Sequence, residues 1–265
     1  MSREKTYGVI GCGWLGESIG QDWIKEEKTV IGSTTTKEKI EKLESIGISA
    51  HLLDHKQEEK DLKWLNKIDV LLLNIPPSGL KENYAKFMLH IAQNVKRDAK
   101  IIFISSTSVY ANNNTEVNEN SELEITRRNS AFIINAERKL SEFAKERLTI
   151  IRMAGLVGKE RNPAKYMSGR EINGGQTPVN LIHLEDCMGI INHIIKNNIW
   201  GEVFNASSQQ HPTKEEYYTF AAKQLKVTPP VFNDKAQPYK TIECEKLIKE
   251  YGYEFKYHSP FHFPL

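Results

Sequence analysis

The sequence predicts an α/β protein with a doubly wound parallel sheet and a small C-terminal lobe. Strand-like and helix-like segments alternate from the N-terminus to Met153. Two strand-like segments, Asp69–Ile75 and Lys100–Ser105, are almost continuously apolar, as in strands buried on both faces. A glycine-rich turn, Gly11–Gly16, joins the first strand to the first helix, as expected at the start of such a sheet.

Hydrophobic periodicity and turn residues define the elements of the first half. The first helix carries Ile19, Trp23 and Ile24 on one side, and the polar segment Ala111–Asn129 is expected to be a surface loop. In chain order we expect the strand Thr6–Ile10, the helix Glu17–Glu26, the strand Thr29–Gly32, the helix Lys37–Ser45, the strand Ile48–Leu53, the helix Glu58–Asn66, the strand Asp69–Ile75, the helix Leu80–Val95, the strand Lys100–Ser105, the helix Ser130–Arg147 and the strand Leu148–Met153.

After Met153 the pattern is irregular, because glycines and prolines interrupt it as far as Pro178. We therefore expect two domains: residues 1–155 form the sheet domain, and residues 156–265 form a smaller lobe that packs on it and partly returns to it. The lobe is predicted to contain the strand Leu181–His183, the helix Leu184–Lys196, the strand Val203–Ala206, the helix Lys214–Leu225 and a mixed tail from Val231.

Composition narrows the class of protein. The chain has 265 residues, and 39% of them are apolar, which is enough for a substantial core. Lys and Arg number 36 against 34 Asp and Glu, so charge gives no reason to expect nucleic acid or a membrane as partner. Three scattered cysteines suit neither a disulfide framework nor a metal site. With no signal peptide and no apolar run near the ~20 residues of a membrane span, we expect a soluble, cytoplasmic protein.

The turn Gly11–Gly16 has the spacing and the strand–turn–helix setting of a dinucleotide-binding turn. Gly11 permits the tight turn, Gly13 lets the backbone approach a pyrophosphate, and Gly16 allows close helix–strand packing. The helix N-terminus offers N–H groups to the phosphates. The alternative, a glycine-rich turn without a ligand, is disfavoured by that setting. We expect the cofactor to contact Gly11, Cys12, Gly13, Trp14, Leu15 and Gly16, with Cys12 packing rather than reacting.

The end of the second strand indicates which cofactor is bound. An NAD site usually has Asp or Glu there to accept a hydrogen bond from the ribose 2′-hydroxyl. The segment Gly32–Lys37 has no carboxylate, and its hydroxyls and amine suit a 2′-phosphate. The hydroxyls could instead cap the helix near Lys37. NADP is favoured over NAD, with Ser33, Thr34, Thr35 and Lys37 as its contacts.

Two further segments are candidates for the cofactor crevice. Asp54, just after the third strand, either reaches the adenine amino group or is an ordinary exposed acid. Asn74, Ile75 and Pro76 follow the fourth strand, where they either line the crevice beside the nicotinamide ribose or simply end the strand.

Together with the turn, several later segments resemble the extended short-chain dehydrogenase/reductase superfamily, in its NAD(P)-dependent epimerase/dehydratase group. The resemblance implies a nicotinamide cofactor, a substrate-facing C-terminal lobe and a small hydroxyl or carbonyl substrate. It also implies that Ser105 lies at the cofactor and that Ser106 hydrogen-bonds the substrate. The matching segments, in the family's order, are Gly11–Gly16, Ser105–Tyr110, Ile151–Gly158, Val179–Asp186, Val203–Ser208 and Pro212–Glu216.

The chain departs from that family at the Tyr-x-x-x-Lys pair, which transfers the proton in the family's enzymes. Between Arg127 and Lys139 no Tyr stands four residues before a Lys. Depending on the alignment, Asn129 and Ile133, or Phe132 and Ala136, occupy the two positions. The resemblance is therefore to atypical members that keep the cofactor turn and lose the pair. Two candidate catalytic residues remain, Ser106 and Tyr110; the first could be structural and the second could be a packing residue.

On the substrate side, the resemblance gives His183 a role in fixing the loop of the substrate lobe, with catalysis as the alternative. Arg161, Lys165 and Arg170 lie in an irregular loop, where they either bind an anionic substrate or are solvated. Arg161 and His183 are our substrate-binding candidates.

Three functions are consistent with these residues. The leading hypothesis is an NADP-dependent oxidoreductase or epimerase-like enzyme of atypical mechanism. The second is a non-catalytic NADP(H)-binding sensor or scaffold protein. The third, a 3-hydroxyacid or imine dehydrogenase, ranks last because the strands Leu181–His183 and Val203–Ala206 do not fit its all-helical C-terminal domain.

Overall fold

The computed structural model describes residues 4–54, 62–125, 128–233 and 235–265. Its strands are β1 (Thr6–Ile10), β2 (Thr29–Thr34), β3 (Ser49–Leu52), β4 (Val70–Leu73), β5 (Lys100–Ser106), β6 (Thr115–Val117), β7 (Leu148–Met153), β8 (Gly155–Val157), β9 (Glu171–Asn173), β10 (Leu181–His183), β11 (Val203–Ala206), β12 (Val231–Asn233) and β13 (Lys240–Ile242). Its helices are α1 (Trp14–Lys25), α2 (Glu38–Ser45), α3 (Tyr84–Asn94), α4 (Arg128–Ala144), α5 (Pro163–Met167), α6 (Leu184–Lys196) and α7 (Lys214–Gln224). Among the described helices, none is long and apolar enough to cross a membrane.

Seven of the strands form one parallel sheet in the order β11-β7-β5-β4-β1-β2-β3. Strand β1 pairs with β2 on one side and with β4 on the other, so the sequence order reverses between β1 and β4. This is the strand order of the Rossmann fold, and such sheets bind ligands beside the reversal, at the carboxyl ends of the strands. The predicted fold class is confirmed.

Apolar side chains cover the sheet. Every residue of β4 is buried, and Ile101, Ile102 and Phe103 of β5 are fully buried. Helix α1 buries Ile19 and Trp23 completely, on the side predicted from the sequence. Each such side chain contributes about 1.5–3 kcal/mol on burial. This core holds the carboxyl ends of β1, β2 and β4 in register.

The predicted elements differ from the structure mainly at their ends. Helix α3 begins at Tyr84 rather than Leu80, because two 3-10 turns precede it and Lys81 takes a positive φ of 46° that no α-helix accommodates. Of the predicted helix Glu58–Asn66, residues 58–61 lie outside the described residues, and Lys63–Lys67 is a 3-10 turn. The predicted loop Ala111–Asn129 contains β6, which pairs with β13.

The chain divides into two compact units. One comprises Met1–Ser105, Glu124–Ile151 and Ile194–Val203, and contains β1–β4 with α1–α3. The other comprises Ser106–Leu123, Arg152–His193 and Phe204–Leu265. The second unit has its own apolar cluster, formed by Val157, Ala164, Val179, Leu181, Tyr217, Tyr218, Ala221 and Phe263.

Candidate functional site

The glycine-rich turn is tied to the strands on both sides of β1. The Gly11 amide donates to the Ser33 hydroxyl at 3.1 Å, and the Cys12 amide donates to the Ser33 carbonyl at 2.8 Å. From the other side, the Asn74 side-chain amide donates to the Gly11 carbonyl at 3.1 Å. The structure thus brings the turn, Ser33 and Asn74 together at the carboxyl ends of β1, β2 and β4.

The three glycines of the turn have different surroundings. Gly11 has a φ of +97°, and a Cβ there would lie 2.6 Å from the Asn74 carbonyl oxygen. A Cβ on Gly16 would lie 2.2 Å from the Gly11 carbonyl oxygen. A Cβ on Gly13 would have no described atom within 4 Å. Gly11 and Gly16 therefore serve close packing of backbone on backbone, whereas Gly13 faces open space.

Helix α1 begins directly after Gly13, and among the described residues no side chain caps its N-terminus. An uncapped N-terminus presents backbone N–H groups and the positive end of the helix dipole. Glu17, in the first turn, is paired with Lys39 at 2.8 Å and with Lys42. Burial would raise the pKa of Glu17, but the two lysines outweigh it and lower the pKa. The two lysines thus neutralise the charge of the Glu17 carboxylate. Glu17 therefore does little to repel an anion bound at the N-terminus of α1.

Cys12 packs inside the turn. It is buried, and its Sγ lies 3.6 Å from the Val9 carbonyl oxygen. Burial raises the pKa of the Cys12 thiol to about 11, against a smaller lowering effect of its hydrogen bond with Ser33. The thiol therefore stays protonated at neutral pH and is a poor nucleophile.

The hydroxyls after β2 do not cap α2. That helix begins at Glu38 with Lys37 at its N-cap and, within the described part of the chain, has no side-chain cap. Ser33 is buried and holds the turn, and the Thr34 hydroxyl accepts from the Thr36 amide at 3.2 Å. Thr35 and Lys37 are exposed. The two exposed residues thus remain available to a ligand.

The remaining cofactor candidates lie after β3, after β4 and at the end of β5. Asp54 is half-buried, Pro76 is exposed, and the Ile75 carbonyl accepts from the Tyr84 hydroxyl at 2.8 Å. Ser105 is buried, and its hydroxyl donates to the buried Glu137 carboxylate at 2.5 Å. That bond fastens β5 to α4. Glu137 was missed in the sequence, where nothing local marks it as the partner of a strand residue.

Ser106 and Tyr110 belong to the second unit. The Ser106 hydroxyl is half-buried and accepts from the Ser108 amide at 3.1 Å, which caps the 3-10 turn Thr107–Val109. Tyr110 is fully buried; its hydroxyl donates to Asn205 Oδ1 at 2.7 Å and accepts from Arg152 Nη1 at 2.8 Å. Burial raises the pKa of Tyr110 despite the opposing charge of Arg152. Its phenol is therefore held protonated in a buried hydrogen-bond network.

His183 is buried at the start of α6. Its Nδ1 accepts from the Glu185 amide at 3.3 Å, and its ring lies 4.7 Å from the Tyr257 ring and 5.5 Å from the Phe263 ring. Its Nε2 has no hydrogen-bond partner among the described residues. Burial lowers the pKa of His183, and the nearby Glu185 only partly offsets that effect. The imidazole is therefore neutral at pH 7 and acts in helix capping and packing.

This burial predicts a pH dependence of stability. The folded pKa of His183 lies below the unfolded value of about 6.5, so below that pH the unfolded state binds a proton that the folded state does not. The contribution of His183 to the free energy of unfolding therefore falls as the pH drops from 7 to 5. His183→Asn keeps a capping oxygen and removes the titration. We expect the variant to be less stable at pH 7, because ring packing is lost, but to lose less stability between pH 7 and pH 5.

Urea unfolding at each pH measures this effect. His262→Asn, at an exposed position, is the matched control and should keep the parent's pH dependence. If the free energy of unfolding falls by the same amount between pH 7 and pH 5 in His183→Asn and in the parent, His183 is not a buried neutral imidazole.

A cavity of about 580 Å³ lies within the second unit, and Arg161 lines it. Lys165 and Arg170 are exposed and are not among its lining residues. Lys214 of α7 lines it as well and was not singled out in the sequence. The spacing Thr213-Lys214-Glu215-Glu216 was the available signal, because it forms a capping box that fixes the start of α7.

Comparisons with known proteins find a relative that matches along almost its whole length and solved structures of similar fold. No family model matches it. It is 30% identical over 275 residues to the protein YeeZ of Escherichia coli strain K12, covering 98% of this chain and 99% of YeeZ. A conserved protein of unknown function from Silicibacter pomeroyi has a similar structure, with a TM-score of 0.79, 18% identity, and coverage of 97% and 95% of the two chains. The UDP-glucuronic acid 4-epimerase of Bacillus cereus, solved with UDP-glucuronic acid and NAD, has a TM-score of 0.78, 18% identity and the same coverage.

Proposed function

Since this chain belongs to the family of the Escherichia coli protein YeeZ, we propose that it is an NADP-dependent epimerase/dehydratase-like oxidoreductase that acts on a small hydroxyl or carbonyl compound. We assign cofactor binding to residues 1–155 and substrate binding to residues 156–265. The observation that carries the proposal is the open space at Gly13, beside an uncapped helix N-terminus and at the strand-order reversal. A dinucleotide pyrophosphate needs this combination. When bound, the nicotinamide supplies or accepts a hydride.

The preference for NADP rests on the end of β2. In place of the carboxylate that suits a ribose 2′-hydroxyl, the exposed residues there are Thr35, Thr36 and Lys37. Lys39 is already paired with Glu17. Lys37 is therefore our candidate partner for a 2′-phosphate, with the threonine hydroxyls as further donors. The Bacillus cereus epimerase was solved with NAD, so the preference is a property that we propose for this chain.

The chemistry proposed here does not use a Tyr-x-x-x-Lys pair. On α4, the position of the pair's Lys is occupied by Ile133 in one alignment and by Ala136 in the other. Both residues are apolar and buried. Another residue must then transfer the proton. Our first candidate is Ser106, the last residue of β5, whose side chain is half-buried.

Calorimetric titration with NADPH and NADH tests the proposal. We expect NADPH to bind about 10-fold more tightly, because a phosphate gains charge-assisted hydrogen bonds. Lys37→Met should weaken NADPH binding by about 3- to 10-fold and leave NADH binding unchanged, since an exposed ion pair contributes about 1 kcal/mol. Lys25→Met, an exposed charge change on α1, is the control. Binding of neither nucleotide would overturn the proposed function.

A second candidate function is a non-catalytic NADP(H) sensor or scaffold, favoured by the buried apolar residues Ile133 and Ala136. It predicts tight NADPH binding without NADPH oxidation across a panel of carbonyl compounds. The enzyme hypothesis predicts oxidation that is reduced in Ser106→Ala.

A further inference from the structure

The cavity of the second unit has apolar walls and two cationic side chains. Its walls come from β8, α5, the start of β10 with the residues before it, and the first two turns of α7. Leu156, Val179, Leu181 and Tyr218 provide apolar surface. Among the described lining residues the charged ones are Arg161 and Lys214, and none is a carboxylate. An apolar cavity with two positive charges favours an anion.

Lys214 is held at the cavity by its backbone. The Thr213 hydroxyl accepts from the Glu216 amide, the Glu216 carboxylate accepts from the Thr213 amide, and the Lys214 amide donates to the Thr177 carbonyl at 2.9 Å. The ammonium is half-buried, and its Nζ reaches the Asn173 carbonyl oxygen only at 3.5 Å. Burial lowers the pKa of Lys214. An anion in the cavity would stabilise this desolvated charge.

Arg161 is an exposed residue that lies between β8 and α5, where its backbone and its side chain both form hydrogen bonds. Gly158 and Arg161 exchange backbone hydrogen bonds, both of 2.9 Å, and the Arg161 Nε donates to the Leu156 carbonyl at 3.2 Å. The guanidinium stem is therefore fixed against a lining residue. A guanidinium so held binds a carboxylate or phosphate with little loss of side-chain freedom.

The rest of the wall suits an apolar ligand body. The side chain of Asn180 is already used, because its Nδ2 donates to the Lys240 carbonyl at 2.9 Å and its Oδ1 accepts from the Ile242 amide at 3.0 Å. These bonds occupy one donor and one acceptor site of the Asn180 amide, so it offers fewer hydrogen bonds to a ligand than a free amide would. Tyr166, a lining residue that is 61% exposed, adds aromatic surface.

We propose that this cavity binds the substrate as a small organic anion, a carboxylate or a phosphate on an apolar or aromatic body, with the acid group between Arg161 and Lys214. The inference rests on the proposed function, because it names the substrate class of that enzyme.

Saturation-transfer NMR on the full chain without cofactor tests the inference. The probes are phenyl phosphate, 3-phenylpropionate, neutral 3-phenylpropionamide, inorganic phosphate and uridine 5′-diphosphate. We expect at least one aromatic anion to bind, and the amide to bind at least about 10-fold more weakly. If only phenyl phosphate binds, the ligand is a phosphate. If only 3-phenylpropionate binds, the ligand is a carboxylate. Equal binding of acid and amide, or binding of uridine 5′-diphosphate alone, would overturn the inference.

Substitutions locate the binding. Lys214→Met and Arg161→Met should each lower the affinity for the aromatic anion at least about 5-fold. Lys214→Arg should retain the affinity. Lys223→Met, an exposed charge change on the same helix, should match the parent. Thermal unfolding confirms that each variant is folded. Unchanged affinity in both Met variants would exclude the cavity.

The NADPH titration separates this inference from the proposed function. Intact NADPH binding without anion binding overturns only the inference. Anion binding without binding of either nicotinamide nucleotide overturns only the proposed function.

Discussion

Gly13→Ala is expected to weaken NADPH binding about 10-fold or more while changing the free energy of unfolding by less than about 1 kcal/mol. A Cβ at Gly13 enters the open space where we propose that the pyrophosphate lies, and no described protein atom is within 4 Å of it. Gly16→Ala, in contrast, should act mainly on the free energy of unfolding. Its Cβ would lie 2.2 Å from the Gly11 carbonyl oxygen, and backbone at that distance must move. We expect a loss of stability of about 2–3 kcal/mol.

The two variants control for each other, because each adds one methyl group to the same turn. Urea unfolding measures stability, and calorimetric titration with NADPH measures affinity. If Gly13→Ala binds NADPH as tightly as the parent, the pyrophosphate does not cross this residue. If Gly16→Ala is as stable as the parent, the close approach of α1 to the turn is not required.

Arg152→Met is expected to cost about 2–3 kcal/mol of stability, because two hydrogen bonds from a charged donor are lost and their acceptors are left unpaired. Arg152 is 5% exposed. Its guanidinium donates to the Tyr110 hydroxyl at 2.8 Å and to the Glu119 carbonyl at 3.3 Å, and lies 5.2 Å from the Tyr110 ring centroid. Methionine fills much of the volume but leaves these acceptors without their donor.

Urea unfolding followed by tryptophan fluorescence measures this cost. Arg138→Met, which removes an exposed arginine from α4, should change stability by less than about 0.5 kcal/mol. A loss below about 1 kcal/mol in Arg152→Met would show that the network contributes little to the stability of the second unit.

The fold could be predicted because its signals are local. Strands such as β4 are continuous apolar runs, and the turn at Gly11–Gly16 is marked by its own glycines. The Arg152–Tyr110–Asn205 network could not be predicted, because its members are 42 and 95 residues apart. The three-residue strands β6 and β13 were not predicted, because neither shows a recognisable alternation and each is stabilised by pairing with the other, more than 100 residues away.

The same distinction applies to the candidate site. The sequence pointed to Ser33 for its hydroxyl, and the structure uses that hydroxyl to hold the Gly11 amide. Ser105 likewise is bonded to Glu137. The sequence shows that a residue carries a hydroxyl group. Which group that hydroxyl bonds to depends on the tertiary fold.

The attachment of the turn to both neighbouring strands has a consequence for ligand affinity. A loop that must be ordered on binding consumes part of the interaction free energy as lost conformational entropy. Here the amides of Gly11 and Cys12 and the carbonyl of Gly11 are already bonded to Ser33 and Asn74. The chain therefore bears that entropic cost when it folds, and a ligand at the turn does not have to offset it on binding.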